Sequence, residues 1–393
     1  MRHLILPALF ALLASPAFAD DTTAWRLFIA DHAQPTVTAI DLGNDTVAGT
    51  FNLGSPAVLY TTPSKAAVFA VQGAANQVSA IASGIAIDDH GDHGDLTVTA
   101  PALIEATIAG AKPVHFVEHD GQIALFFDNE GVARLVSEAD WLAGKPAPRD
   151  VATAAPHHGV AAPFGGVVLA TRPNAEDPKA LPIGIDVIGA DGKAIGDLYA
   201  CPDLHGEASS GDTLAIACAT GLLLATPGKD GPQITHLAYA GLPEGKSTTL
   251  LGGVGLQYWL GNFGADQLVI IDPPATAPFR IVDLPSRRVH FAIDPVAVKY
   301  AYIFTESGDL HRLDVLSGKI DQTLRVTEPY SMDGEWSLPR PRIAVAGGEI
   351  AITDPLAGVV HIVDAQTFTL ERYIAVAVTP YNIVAVGGSG ASH

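Results

Sequence analysis

The chain has 393 residues, with 22 Lys or Arg against 42 Asp or Glu, and a formal charge of −20. So acidic a surface excludes nucleic acid and anionic membrane as partners, because both need clustered Lys and Arg. It attracts cations in general, and only weakly favours a metal over simple solubility.

The first element is Met1-Arg2-His3, an apolar run over 4–13 and Ser15-Pro16-Ala17-Phe18-Ala19, the form of a secretory signal peptide spanning 1–19. Cleavage after Ala19 leaves Asp20-Asp21, and loss of Arg2 takes the charge from −20 to −21. The apolar run is too short to span a bilayer, and no later run reaches that length. No cysteine stands at the cleavage point. The expected mature protein, 20–393, is a soluble monomer of the bacterial periplasm with no membrane anchor.

After that point helical periodicity is nearly absent. Short apolar runs come in pairs: 25–30 with 36–42, 67–72 with 77–81, 123–127 with 132–136, and 167–171 with 184–188. The pairing continues with 213–217 and 222–225, 256–260 and 267–272, 300–305 and 309–315, and 349–353 and 359–364. Alternation of period two with Gly, Asn and Asp between runs predicts hairpins. The turns recur about every 45 residues, the length of a four-stranded propeller blade. The last strand, 381–386, lacks partners after it and the first unit lacks one before it. Pairing the two closes the ring and removes its open edges. The prediction is an all-β, eight-bladed β-propeller closed by N- and C-terminal strands in one blade, with seven blades as the alternative.

Between the third and fourth strands of its unit lies Asp88-Asp89-His90-Gly91-Asp92-His93-Gly94-Asp95. With no apolar side chain it cannot bury itself, which predicts a mobile surface loop. Imidazole and carboxylate suit borderline divalent metals, so His90 and His93 are candidate ligands; a solvated acidic turn is the plainer alternative.

Further along, His115, the pair His157-His158, and His205 fall where the innermost strand of three consecutive blades begins, and His290 lies nearly across the ring. His115 stands as far before Gly131 as His205 before Gly221, which supports the alignment. Three converging imidazoles make a zinc-type site held on rigid strands. Each histidine alone is as readily explained as a turn cap. The fourth ligand stays open among Asp128, Glu118, Glu207, a loop histidine and water. His393 is an outlying candidate.

The two cysteines, Cys201 and Cys218, suggest a disulfide in an oxidising compartment. A hairpin turning at Ser209-Ser210 would set residues whose numbers sum to 419 opposite each other, which predicts a cross-strand Cys201–Cys218 bridge. Thiolate metal ligands are the minor alternative.

The leader, the repeat, the Asp/His stretch at 88–95 and the inner-strand histidines together resemble the AztD family of periplasmic zinc metallochaperones. The Asp/His stretch is the specific part. The resemblance implies a non-enzyme that holds Zn(II) near the channel, assisted by the loop, and hands it to the solute-binding protein of a zinc ABC importer. It implies ligand roles for His115, His158 and His205, with His90 and His93 on the loop. Other readings are an exported propeller enzyme (lactonase-like or a dehydrogenase subunit, with Asp333, Glu335 and Trp336 lining a pocket) and a protein-interaction scaffold. No nucleophile elbow or phosphate-cradling loop supports the enzyme.

Overall fold

The computed structural model describes residues 23–90, 94–229, 231–376 and 379–389. The expected signal peptide at 1–19, His93 and His393 lie outside the described residues.

Eight four-stranded antiparallel sheets form the ring. Second strands such as Ala67–Gln72 and Trp259–Phe263 are buried at every position. Their residues read as continuous apolar runs because neighbouring blades press on both faces. Outermost strands such as Gln233–Ala238 have no buried position and mix polar with apolar residues. Apolar clusters therefore bridge blades: Leu169 and Ile185 of the fourth blade pack with Leu214 and Ile216 of the fifth. The first blade closes the ring, with Thr23–Asp31 between Thr36–Asp41 and Pro380–Ser389, and Phe28 opposite Val384. The count is eight blades, which removes the seven-bladed alternative. The sixth blade alone departs from the predicted runs: its second strand is Trp259–Phe263 rather than 256–260, because Leu256 closes a turn onto the Gly253 carbonyl.

In each blade the innermost strand starts at one face, here the upper, and ends at the lower. For the third to fifth blades these strands are Pro113–His119, Ala161–Phe164 and Glu207–Ser210. The acidic run lies elsewhere. In the second blade Gln77–Ala82 pairs with Ala102–Ala109, and between them the chain leaves the lower face as a hairpin, Ile85–Asp89 with Gly94–Val98. Asp88 stands opposite Asp95 in its ladder, so the expected loop is half strand. Arg26, fully buried, anchors both ends: it pairs with Asp41 and donates to the carbonyls of Ser83 and Thr99.

Cys201 and Cys218 form a disulfide, by a different route from the predicted one. The hairpin turns at Gly211-Asp212, so Glu207 faces Ile216 and paired numbers sum to 423. Cys201 follows the outermost strand of the fourth blade, Tyr199–Ala200, and Cys218 ends the second strand of the fifth, Thr213–Cys218. The bridge joins two blades. Closing a 17-residue separation contributes about 3 kcal/mol by the chain-entropy argument. Among the described residues no helix is long and apolar enough to cross a membrane.

Candidate metal centre

Three imidazoles meet at the upper mouth of the channel, each brought there by a different local device. His115 lies in the strand Pro113–His119, whose register shifts between Pro113 and His115. Such a bulge re-aims the side chains beside it. His158 and His205 lie just before inner strands, and each is followed by glycine. A Cβ on Gly159 would come within 2.4 Å of both His157 Nε2 and Thr171 Oγ1. Gly206 has φ +92°, and a Cβ there would meet the Thr248 carbonyl oxygen at 2.7 Å. Only glycine lets these two turns close.

The rings are half-buried, with centroids 4.9 Å apart for His115–His158, 5.5 Å for His158–His205 and 6.0 Å for His115–His205. One nitrogen from each lies within 4.8 Å of the others, the one such group among the described residues. His115 Nε2 and His158 Nε2 are 3.4 Å apart. Zinc–nitrogen bonds of about 2.0–2.1 Å in a tetrahedron put ligand nitrogens about 3.4 Å apart, so this pair needs little movement.

Every opposite nitrogen is held by an acceptor from another blade. His158 Nδ1 donates to Asp128 Oδ2 at 2.9 Å, and His205 Nδ1 to the Thr248 carbonyl at 2.8 Å. His115 Nδ1 lies 3.4 Å from Glu207 Oε1. An acceptor on Nδ1 places the ring proton there and leaves Nε2 with a free lone pair, the usual outer support of a metal-bound histidine. Two further oxygens, Asp128 Oδ1 and Glu207 Oε2, are buried without a hydrogen-bond partner. Buried carboxylate oxygens left unpaired are costly, and a cation beside them would relieve that cost. The space among His115, His158, His205 and Glu207 is a cavity of about 10 Å³, room for a single small ion or water. The donor set and its surroundings fit zinc.

Charge tunes the three rings differently. Burial pushes the His115 pKa down, but the carboxylates of Glu207 and Asp128 outweigh it and the net shift is upward. Burial and the neighbouring imidazoles push His205 down. A metal binds only neutral imidazole, so the proton on His115 competes first as pH falls, from above the ordinary histidine value of about 6.5. Apparent zinc affinity is expected to drop about tenfold per pH unit below that onset. Glu207→Gln removes the charge that raises His115 and should move the onset to lower pH, as chelator competition from about pH 5 to pH 8 would show.

His157 is corrected: it does not join the cluster. Its Nδ1 donates to the Ala155 carbonyl, its Nε2 lies 2.8 Å from Thr171 Oγ1, and its ring packs edge-on to Phe126. It pins the turn that presents His158. His290 sits at an equivalent bulge in the seventh blade, but its Nδ1 accepts the Ile343 N–H and its pKa is pushed well down by burial and two arginines. His90 is exposed on the lower hairpin, its Nε2 3.4 Å from Asp95 Oδ2 and 3.8 Å from Asp88 Oδ2. That hairpin covers a cavity of about 1220 Å³ beside Gly347, which follows an inner strand's end. Hairpin and imidazoles therefore occupy opposite faces. The loop of Asp333, Glu335 and Trp336 lines neither cavity; Arg340 holds it through its carbonyls and Trp336 is 88% exposed. Sequence reasoning missed the role of the Thr248 carbonyl, a backbone group that no residue type could signal. It named Asp128 and Glu207 only as fourth-ligand candidates.

No protein-family model matches the chain. The zinc chaperone AztD of Citrobacter koseri is 50% identical over 387 residues, covering 98% of this chain and 92% of that protein. The crystal structure of that AztD superposes with a TM-score of 0.92 at 50% identity, over 95% of this chain and all of the other. Its apo structure gives 0.90 at 49% identity, over 94% of this chain and 100% of that one. Identity at this level across nearly the full length, on an eight-bladed ring, shows that this chain belongs to the AztD family.

Proposed function

We propose that this protein is a zinc metallochaperone: it holds one Zn(II) on His115, His158 and His205, and passes it to the solute-binding protein of a zinc ABC importer in the periplasm. It acts as a soluble, monomeric carrier rather than an enzyme, after removal of 1–19. The observation that carries the reading is the set of three imidazoles with each Nδ1 facing an acceptor and each Nε2 free to share an ion. The name of the C. koseri relative supports the choice of zinc. A chelator-competition titration should find one tight zinc per chain; the absence of tight zinc would overturn the assignment.

Release follows from exposure. The His158 side chain is 35% exposed against 18% for His115, so an incoming ligand reaches the ion on the His158 side and displaces that imidazole first. Stepwise replacement keeps the ion coordinated throughout, which lets a tight site give up its metal quickly.

His90, on the hairpin of the far face, belongs in this reading to a separate and weaker collecting site, with His93 as its candidate second imidazole. His90→Ala with His93→Ala is expected to leave the affinity of the tight zinc within about threefold. A larger loss in the same titration would mean that the hairpin reaches the channel site.

A further inference from the structure

Resting on the zinc reading above, we infer that the Cys201–Cys218 disulfide is a positioning element of the metal site: it clamps the short segment that carries His205. The three imidazoles differ in what holds them. His115 is built into a strand ladder. His158 follows buried His157, which is fixed at both ring nitrogens. His205 belongs to no strand. It lies in the segment from Cys201 to Gly206, between the outermost strand of one blade and the innermost strand of the next.

That segment runs along the end of the strand Thr213–Cys218. The His205 N–H donates to the Ala217 carbonyl at 3.1 Å, and the Ala217 N–H donates to Gly206 at 2.9 Å. The Ala219 N–H donates to Pro202 at 2.8 Å. These contacts straddle Cys218, whose bond to Cys201 is fully buried. Cys201 and Leu204 are tied on their other side to the Ile183 and Pro182 carbonyls of the fourth blade. The covalent bond closes this hydrogen-bonded patch, so the backbone under His205 cannot slide along the strand. A slide of one residue would draw Nδ1 off the Thr248 carbonyl and carry Nε2 away from the shared point.

Positioning of this kind is worth about 10- to 100-fold in metal affinity. Cys201→Ala with Cys218→Ala should weaken zinc binding by that factor, read by chelator competition. The same pair in a His205→Ala background should change affinity less than about threefold, because the ligand it positions is gone. A merely structural bond would cost the same in both backgrounds, and that result, or an unchanged affinity in the first, would overturn the inference. Absence of tight zinc in the parent protein would instead remove the zinc reading itself.

Should the double variant fail to fold, the native protein gives a second test. Because the bridge is fully buried, a dithiol reaches it through local opening of the Cys201–Gly206 segment; it then reduces the bridge to two thiols, supplying two electrons and two protons and closing to its own disulfide. Hydrogen exchange at the His205 and Ala217 amides should then accelerate, while amides in the first and seventh blades keep their rates. Unchanged protection at His205 and Ala217 in the reduced protein would contradict the clamp.

Discussion

The double replacement His115→Ala and His205→Ala is expected to lower zinc affinity by about 10,000-fold or more while leaving the ring folded. Four-ligand structural zinc sites are worth about 10–16 kcal/mol, or roughly 2.5–4 kcal/mol per ligand, which is on the order of 100- to 1,000-fold for each imidazole removed. Neither ring belongs to an apolar cluster between blades: both are half-buried around a cavity of about 10 Å³. Truncation therefore costs little packing. Removing His115 also takes away the imidazole 3.4 Å from Glu207 Oε1, while Oε2 is already unpaired among the described residues. The apo variant should lose a small amount of stability from that charge alone. Competition against a high-affinity chelator measures the first effect and thermal unfolding of the apo protein the second. Tight binding that survived the double replacement would place the zinc somewhere else.

The second large effect is expected at Asp128, and its signature is a split between binding and stability. Asp128 is buried; Oδ2 holds His158 Nδ1 at 2.9 Å and lies 3.4 Å from Lys112 Nζ, while Oδ1 has no partner. A carboxylate so placed is poorly compensated in the apo protein. It orients His158 and adds negative charge beside the ion. Asp128→Ala should weaken zinc binding by about 10- to 100-fold, and Asp128→Asn, whose amide oxygen can still accept from Nδ1, should lose less. Apo stability should fall little or rise, since removal relieves an orphaned buried oxygen. Parallel loss of stability and affinity would instead mark Asp128 as a scaffold residue.

Much of the ring was legible because strand chemistry repeats. Second strands are compressed between blades and must be apolar throughout, so runs such as 67–72 and 300–305 announce themselves. The inner-strand histidines were legible for a related reason: equal spacing from the turn glycines places His115 and His205 at corresponding points of their blades. Spacing alone does not separate a ligand from a pin. His290 shares the bulge of His115 yet accepts the Ile343 N–H, and His157 neighbours His158 yet turns inward to Thr171. The difference rests on which acceptor stands beside each Nδ1, a contact made across blades that no local pattern carries. The cysteine pair is instructive in another way. The bridge was expected from compartment and count, while its hairpin register was off by the distance between Ser209-Ser210 and Gly211-Asp212. The opposite faces of the hairpin and the imidazoles follow from the strand count within the second blade, visible in sequence only as a tension between the two features.

The most direct test is anomalous diffraction at the zinc edge from crystals carrying one zinc per chain. The expected result is a single strong peak about 2.0–2.1 Å from nitrogens of His115, His158 and His205. A peak confined to the hairpin of His90, or zinc held by fewer than two of the three channel imidazoles, would contradict it.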